Sequence, residues 1–354
     1  MNFDFSRVYI TGGTGWLGRQ LCKTLTQGDK QVLGNFQPGE YQIQALVLPG
    51  ETKLVEKESI FSGVNFVEGD VRKSESVEKL FENHTGNGLL VHIAGIIHPN
   101  KVKDFYDINV EGTRNVVEAA QKAGISKYVI ISSNSPIGCN KDNQSLFNEQ
   151  AAYNPYMGYG KSKMKMELYL KEKIDKDNLD ITIIRPPWFY GENQPERQLT
   201  FYQMIKDGKF PFVGDGNNLR SKANVKNICQ GILLAATNPK SKGEIYWIAD
   251  KKAYSMKEIV ETVGNVLKNE FNMTVKPNKM HVPHMIGQFA QAADYMLQSI
   301  GLYQQKIHVL SELNKNIACD ISKAERELGY NPKVDLYNGV KEALLKNDDY
   351  KKLT

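Results

Sequence analysis

The sequence predicts an α/β fold: a doubly wound parallel sheet with a smaller, mostly helical C-terminal lobe. Three observations carry this. Short β-branched runs alternate with helical patterns through the first half, a glycine-rich turn joins the first such run to the first helix, and the alternation weakens after Pro186. Strands alternating with helices imply βαβ units, a parallel sheet and helices on both faces. "RVYIT" from Arg7 reads as a buried strand, and Leu17, Leu21 and Leu25 then recur at helical spacing. "IQALVL" from Ile43 and "VNFVEGD" from Val64 read as strands. "ESVEKLFEN" is helical, and "LLVHIAG" from Leu89 is again a strand. A helical pattern runs from about Val102 to Ala123, followed by the strand "KYVIISS" from Lys127, a helix carrying Tyr159, and the strand "LDITIIRP" from Leu179.

Two stretches depart from that rhythm. "GDKQVLGNFQPGEY", Gly28 to Tyr41, holds three glycines and a proline and is expected to be a surface loop or hairpin. After residue 185 the chain is turn-rich, then mainly helical from Ser255, with one more strand at "GEIYWIA". The expected division is a dinucleotide-binding domain over 1–185, to which a strand near 243–250 returns, and a substrate lobe over 186–354. Within that lobe, "HMIGQFAQAADYMLQSIGLY" is an amphipathic run with Met285, Phe289 and Met296, a stripe expected to pack into the lobe core.

Composition narrows the function classes. The chain has 354 residues, 41% hydrophobic and 24% charged, enough to build a sizeable core. Its +5 formal charge comes from 45 basic and 40 acidic residues, too mild and too evenly spread to argue for nucleic acid. No stretch reaches the apolar length of a membrane span, and the N-terminus does not read as a signal peptide. Cys22, Cys139, Cys229 and Cys319 stand far apart without a CxxC, as free thiols in a reducing cytoplasm would. His281 and His284 lack the carboxylates of a metal motif, so no metal is expected.

"VYITGGTGWLG" places Gly12, Gly15 and Gly18 between a strand and a helix. A tight turn needs positive φ, a pyrophosphate needs a missing side chain, and close helix–strand packing needs another. The helix start at Trp16 and Leu17 then offers free N–H groups and a partial positive charge to phosphates. This is the dinucleotide loop of a Rossmann-type domain, with Gly12, Gly15, Trp16, Leu17 and Gly18 as expected cofactor contacts. At the end of the second strand an acidic residue selects NAD and a basic one NADP. Leu48 holds that place, with Glu51 and Lys53 nearby. The absence of an arginine there favours NAD, with NADP the alternative.

"YGKSK" sets Tyr159 and Lys163 four apart, on one helix face. A free phenol has a pKa of about 10, so it exchanges protons at neutral pH only beside a cation such as Lys163. Upstream, "VIISSNSPIG" ends a strand with serines, where Ser133 can hydrogen-bond a substrate oxygen and Ser135 can touch substrate. Glycine loop, strand-end serine and Tyr-x-x-x-Lys in this order resemble the extended short-chain dehydrogenase/reductase superfamily, the NAD-dependent epimerase/dehydratase group. The resemblance covers nearly the whole chain. By that resemblance Asp70 and Val71 of "GDV" contact adenine, Ala94 and Gly95 of "HIAG" lie beside the cofactor, Asn109 braces the sheet, and Pro186 follows Arg185 in "IIRPPWFYG" at the cofactor's edge. It further implies that Tyr159 is general acid/base, that Ser133 orients the reacting oxygen, and that Lys163 binds the nicotinamide ribose. The helix from Val102 and the one carrying Tyr159 would form a homodimer face.

Substrate class stays open at this level. Arg220, after "GDG", suits a diphosphate and favours a nucleotide sugar acted on by an epimerase or reductase. Trp188 stands where that branch often has asparagine, and only Lys315 precedes the terminal "DISKA". The rival branch resembles 3β-hydroxysteroid dehydrogenases and dihydroflavonol reductases, which take apolar alcohols. "SSNSPIG" lacks the acidic pair of a 4,6-dehydratase. A non-catalytic NAD(P)-binding regulator is the reading from another class, opposed by the intact set Ser133, Tyr159 and Lys163.

Overall fold

Seven strands make one parallel sheet in the computed structural model, which describes residues 3–34, 36–55 and 57–353. In chain order the strands are β1 (Arg7–Thr11), β2 (Gln42–Val47), β3 (Val64–Glu68), β4 (Gly88–His92), β5 (Lys127–Ile131), β6 (Ile181–Arg185), β7 (Trp188–Tyr190), β8 (Phe212–Val213), β9 (Leu219–Asn224), β10 (Ile245–Trp247), β11 (Ala253–Ser255) and β12 (His281–Val282). The large sheet runs β10-β6-β5-β4-β1-β2-β3. Its order reverses between β1 and β4, which pair directly, and that reversal opens a crevice at the strands' carboxyl ends.

The apolar runs form strands because both sheet faces are covered. Every residue of β4, β5 and β6 is buried. Alternate side chains go to opposite faces: Val8, Ile10, Leu89 and Val91 pack on one side, Tyr9 and Leu90 on the other. Leu17, Leu21 and Leu25 bury the inner face of helix Trp16–Gln27. The pattern from Val102 to Ala123 is a helical rod with a π-helical turn, Asp107–Gly112, set into it. After residue 186 the chain leaves the sheet, returns once through β10 beside β6, and builds a lobe around a small sheet ordered β11-β9-β7.

Gly28 to Tyr41, apart from Asn35, which lies outside the described residues, is a surface loop and not a hairpin: Lys30, Gln31, Gln37 and Glu40 are exposed. The loop carries a helical turn, Lys30–Leu33, and is anchored by buried Val32 and Phe36 and by the Tyr41 hydroxyl, which donates to the Leu25 carbonyl at 2.7 Å. One expectation is corrected. The apolar stripe of helix His284–Ser299 does not enter the lobe core. Met285, Phe289 and Met296 are exposed, while Asp294 is fully buried and donated to by His308 at 2.7 Å. A buried ion pair between sequence-distant residues turned the helix over, and spacing alone cannot reveal that.

Candidate functional site

The glycine turn is built for close approach. Gly12 has φ of +73°, and a Cβ there would meet the Ala94 nitrogen at 2.9 Å. A Cβ on Gly18 would be driven into the Gly12 carbonyl oxygen, so the helix can start this near the strand only with glycine. No side chain caps the helix at Gly15, leaving its first N–H groups to a ligand. Trp16 closes the turn's outer side by donating its indole N–H to the Glu192 carbonyl at 2.7 Å. These residues fit a dinucleotide pyrophosphate. A Gly18→Ala variant is expected to weaken dinucleotide binding by about tenfold or more, read by fluorescence titration. Unchanged affinity would remove the loop from that role.

Beyond the turn, the Thr14 hydroxyl and the Leu48 backbone N–H both donate to Glu51 Oε2, at 2.6 and 3.1 Å. A carboxylate is thus tied to the end of β2, while Lys53 is exposed. Asp70 lies two residues past β3, where Arg72 Nε donates to its Oδ1 at 3.0 Å and Nη2 to its Oδ2 at 2.5 Å, holding its carboxyl below the usual range. Val71 is buried under Gly112, and its carbonyl accepts from Asn115 at 2.8 Å.

At the ends of β4 and β5 the candidates converge. Asn109, turned inward by the π-helical turn, accepts from the Ile96 N–H at 2.8 Å and donates to Ser162 Oγ at 3.1 Å. It thereby clamps the strand end to the Tyr159 helix, Met157–Asp177. A Cβ on Gly95 would lie 3.1 Å from Asn109 Oδ1 and 3.5 Å from Lys163 Nζ, so glycine leaves the ammonium open from that side. Lys163 is 4% exposed and donates to the Ile131 carbonyl at 3.0 Å. Burial pushes its pKa down to about 8, against the pull of Glu167.

Ser133 is buried, with its Oγ 3.4 Å from that of Ser135, and it hydrogen-bonds the Tyr159 phenol. The tyrosine ring is partly exposed, tilted against Phe105 at 5.8 Å between centroids. Its hydroxyl lies deep. Burial pushes its pKa up to about 12; the Ser133 hydrogen bond opposes the rise and the Glu312 carboxylate adds to it. In the protein alone desolvation outweighs the Ser133 hydrogen bond, and the Lys163 ammonium donates to the Ile131 carbonyl. Pro186 is buried directly after β6.

The lobe closes over this floor through particular bonds. The Tyr156 hydroxyl pairs with Ser311 Oγ at 2.8 Å, and Gln298 accepts from the Gly158 N–H at 2.9 Å. Arg220 is buried on β9 and donates through Nη2 to the Glu312 carbonyl. Its Nε has no hydrogen-bond partner among the described residues, and Cys139, Tyr156 and Glu312 surround its charge. Lys222, two residues on and so on the same strand face, sits 3.5 Å from the centroid of Trp188. Trp188 is thus a cover for Lys222.

Sequence reasoning singled out Arg220 but missed Lys222 and Glu312. The alternation in "LRSKAN" signalled Lys222, because two cations at period two share one side of a strand. Glu312 had no such signal. It reaches the site from a separate helix, Gln305–Glu312.

Comparison with known proteins agrees with this geometry. The chain is 46% identical over 340 residues to the uncharacterized protein y4nL of Sinorhizobium fredii, across 95% of this chain and 94% of that one. It is 33% identical over 224 residues to the N-acetyl-alpha-D-glucosaminyl-diphospho-ditrans,octacis-undecaprenol 4-epimerase of Escherichia coli O157:H7, across 62% of this chain and 64% of that protein. Among solved structures, the UDP-glucose 4-epimerase of Thermotoga maritima shares the fold with a TM-score of 0.73 at 20% identity, over 98% of this chain and 100% of that one. The model of the NAD dependent epimerase/dehydratase family matches residues 8–249, which takes in the glycine turn, Ser133, Tyr159, Lys163 and Arg220. The chain belongs to the NAD-dependent epimerase/dehydratase family of enzymes.

Proposed function

We propose that this enzyme oxidises or reduces a secondary alcohol or ketone on a sugar carried by a diphosphate, as a nucleotide-sugar epimerase or reductase does. The observation that carries the reading is Arg220: a buried guanidinium behind Tyr156, with one N–H face lacking a protein partner. Guanidinium pairs with phosphate through two parallel hydrogen bonds, and an enclosed site strengthens them. Two relatives carry such substrates in their names, the undecaprenol-linked 4-epimerase and, at 24% identity, the UDP-glucose 4-epimerase of Vibrio cholerae.

The roles follow from geometry. Bound NAD supplies the hydride acceptor and donor. Glu51 suits the unphosphorylated ribose, because a carboxylate at the end of β2 accepts from a 2′-hydroxyl and repels a 2′-phosphate. Ser133 orients and polarises the substrate oxygen. Tyr159 stands protonated at neutral pH, since burial holds it near 12, and is ready to donate to a ketone oxygen. In the oxidation direction it takes the alcohol's proton, which requires a cation brought nearer. Lys163 lies one turn away and has donor capacity beyond Ile131 for a ribose hydroxyl.

An Arg220→Met variant is expected to lower kcat/KM for a UDP- or dTDP-sugar by about tenfold to a hundredfold, mostly through KM. Thermal-shift screening should show stabilisation of the NAD-loaded enzyme by such sugars. Relatives named as sterol-4-alpha-carboxylate 3-dehydrogenases, at 24% and 26% identity, make sterol alcohols the comparison arm. A shift with a sterol and none with any sugar diphosphate would overturn the reading.

A further inference from the structure

The helix His284–Ser299 is largely inside out. Three of its polar residues face the protein: Asp294 is fully buried with His308, Gln291 accepts from Lys315 at 2.9 Å, and Gln298 holds Gly158. Its large apolar residues face outward: Met285 is 61% exposed, Phe289 66%, Met296 68% and Ile300, just past the helix, 71%. These four recur at helical spacing, so they form one stripe along an unpartnered face. Soluble proteins rarely leave such a contiguous stripe uncovered.

Charge around the stripe says what covers it. From Asn272 to Ser311 the sequence holds three lysines and one carboxylate, Asp294, and that carboxylate is buried. Lys276 and Lys279 precede the helix and Lys306 follows it, all exposed. Lys101, also exposed, pairs with Leu302 through an antiparallel backbone bridge beyond the helix end. Lys276 shares a surface cleft with the exposed Asp215 and Glu261, so the cationic border consists of Lys279, Lys306 and Lys101. Apolar anchors bordered by lysines are the pattern of a helix lying in a bilayer's interface. A second copy of this chain fits poorly, because a two-fold contact would set those lysines against their own copies.

We propose that this face docks on an anionic lipid bilayer, with Phe289 and Met296 entering the headgroup boundary and the lysines meeting lipid phosphates. The inference goes beyond the substrate reading and does not depend on it. The helix also reaches the site through Gln298, and the turn after it through Tyr303, whose ring packs on Phe105 at 5.3 Å, itself against Tyr159. Docking therefore sets the catalytic tyrosine close to the bilayer surface.

Flotation of the full chain with vesicles tests this without any substrate. Binding is expected on phosphatidylcholine vesicles containing phosphatidylglycerol, weakening with added salt and falling about tenfold on phosphatidylcholine alone. A Phe289→Glu/Met296→Glu variant should lose about tenfold in partition at unchanged melting temperature. A Lys279→Glu/Lys306→Glu variant should lose binding only on the anionic vesicles. Failure of the wild type to float with either vesicle overturns the proposal. So does a wild-type dimer that Phe289→Glu/Met296→Glu converts to monomer without vesicle binding, which would make the face a contact between copies. The Arg220→Met kinetics stand or fall separately.

Discussion

Replacing Tyr159 by phenylalanine is expected to lower kcat by about 100- to 10,000-fold while NAD binding and the melting temperature stay close to wild type. The ring is retained, so its packing on Phe105 survives and only the hydroxyl shared with Ser133 is lost. In the proposed mechanism that hydroxyl carries the proton of the reacting oxygen, and the two neighbouring phenols are already engaged. Tyr156 is tied to Ser311 and Tyr303 to His98 at 2.8 Å. Equal turnover in the two proteins on a true substrate would remove Tyr159 from the reaction. A fall in NAD affinity of the same size would recast it as a binding residue.

Glu167→Ala is expected to destabilise the protein by about 3–5 kcal/mol, the loss typical when one member of a buried ion pair is removed. Glu167 is fully buried and serves four groups: Arg185 Nε at 3.0 Å and Nη2 at 2.5 Å, the Ser132 hydroxyl at 2.5 Å and the Tyr153 hydroxyl at 2.8 Å. Removing it strands a guanidinium that is 1% exposed and already has an unpartnered Nη1. The double variant Glu167→Leu/Arg185→Met should recover much of the loss, because no uncompensated charge stays inside. Urea unfolding followed by circular dichroism measures both. A single-variant loss under about 1 kcal/mol would mean that water reaches the pair.

The alternating strands and helices were legible because burial on both sheet faces demands β-branched runs, while helix faces demand fourfold spacing. "TGGTGWLG" was legible for a steric reason: nothing larger than glycine fits at Gly12 or Gly18. The pairing of Tyr159 with Lys163 on one helix face was legible from their spacing. Their electrostatics were not, because the direction of the phenol's shift depends on burial and on Glu312, which arrives from far along the chain. The position of Glu51 depended on a hydrogen bond from Thr14 that only the folded loop creates. The turned-over helix was illegible for the same reason, since Asp294 finds His308 only in three dimensions.

The bond from the Gly158 N–H to Gln298 has a mechanical consequence. It grips the Tyr159 helix at its very first turn, next to Met157, whose φ of 52° bends the chain into the left-handed region. Gln298 thus holds the amide one peptide before Tyr159, so the seating of the lobe and the direction of the phenol are mechanically linked.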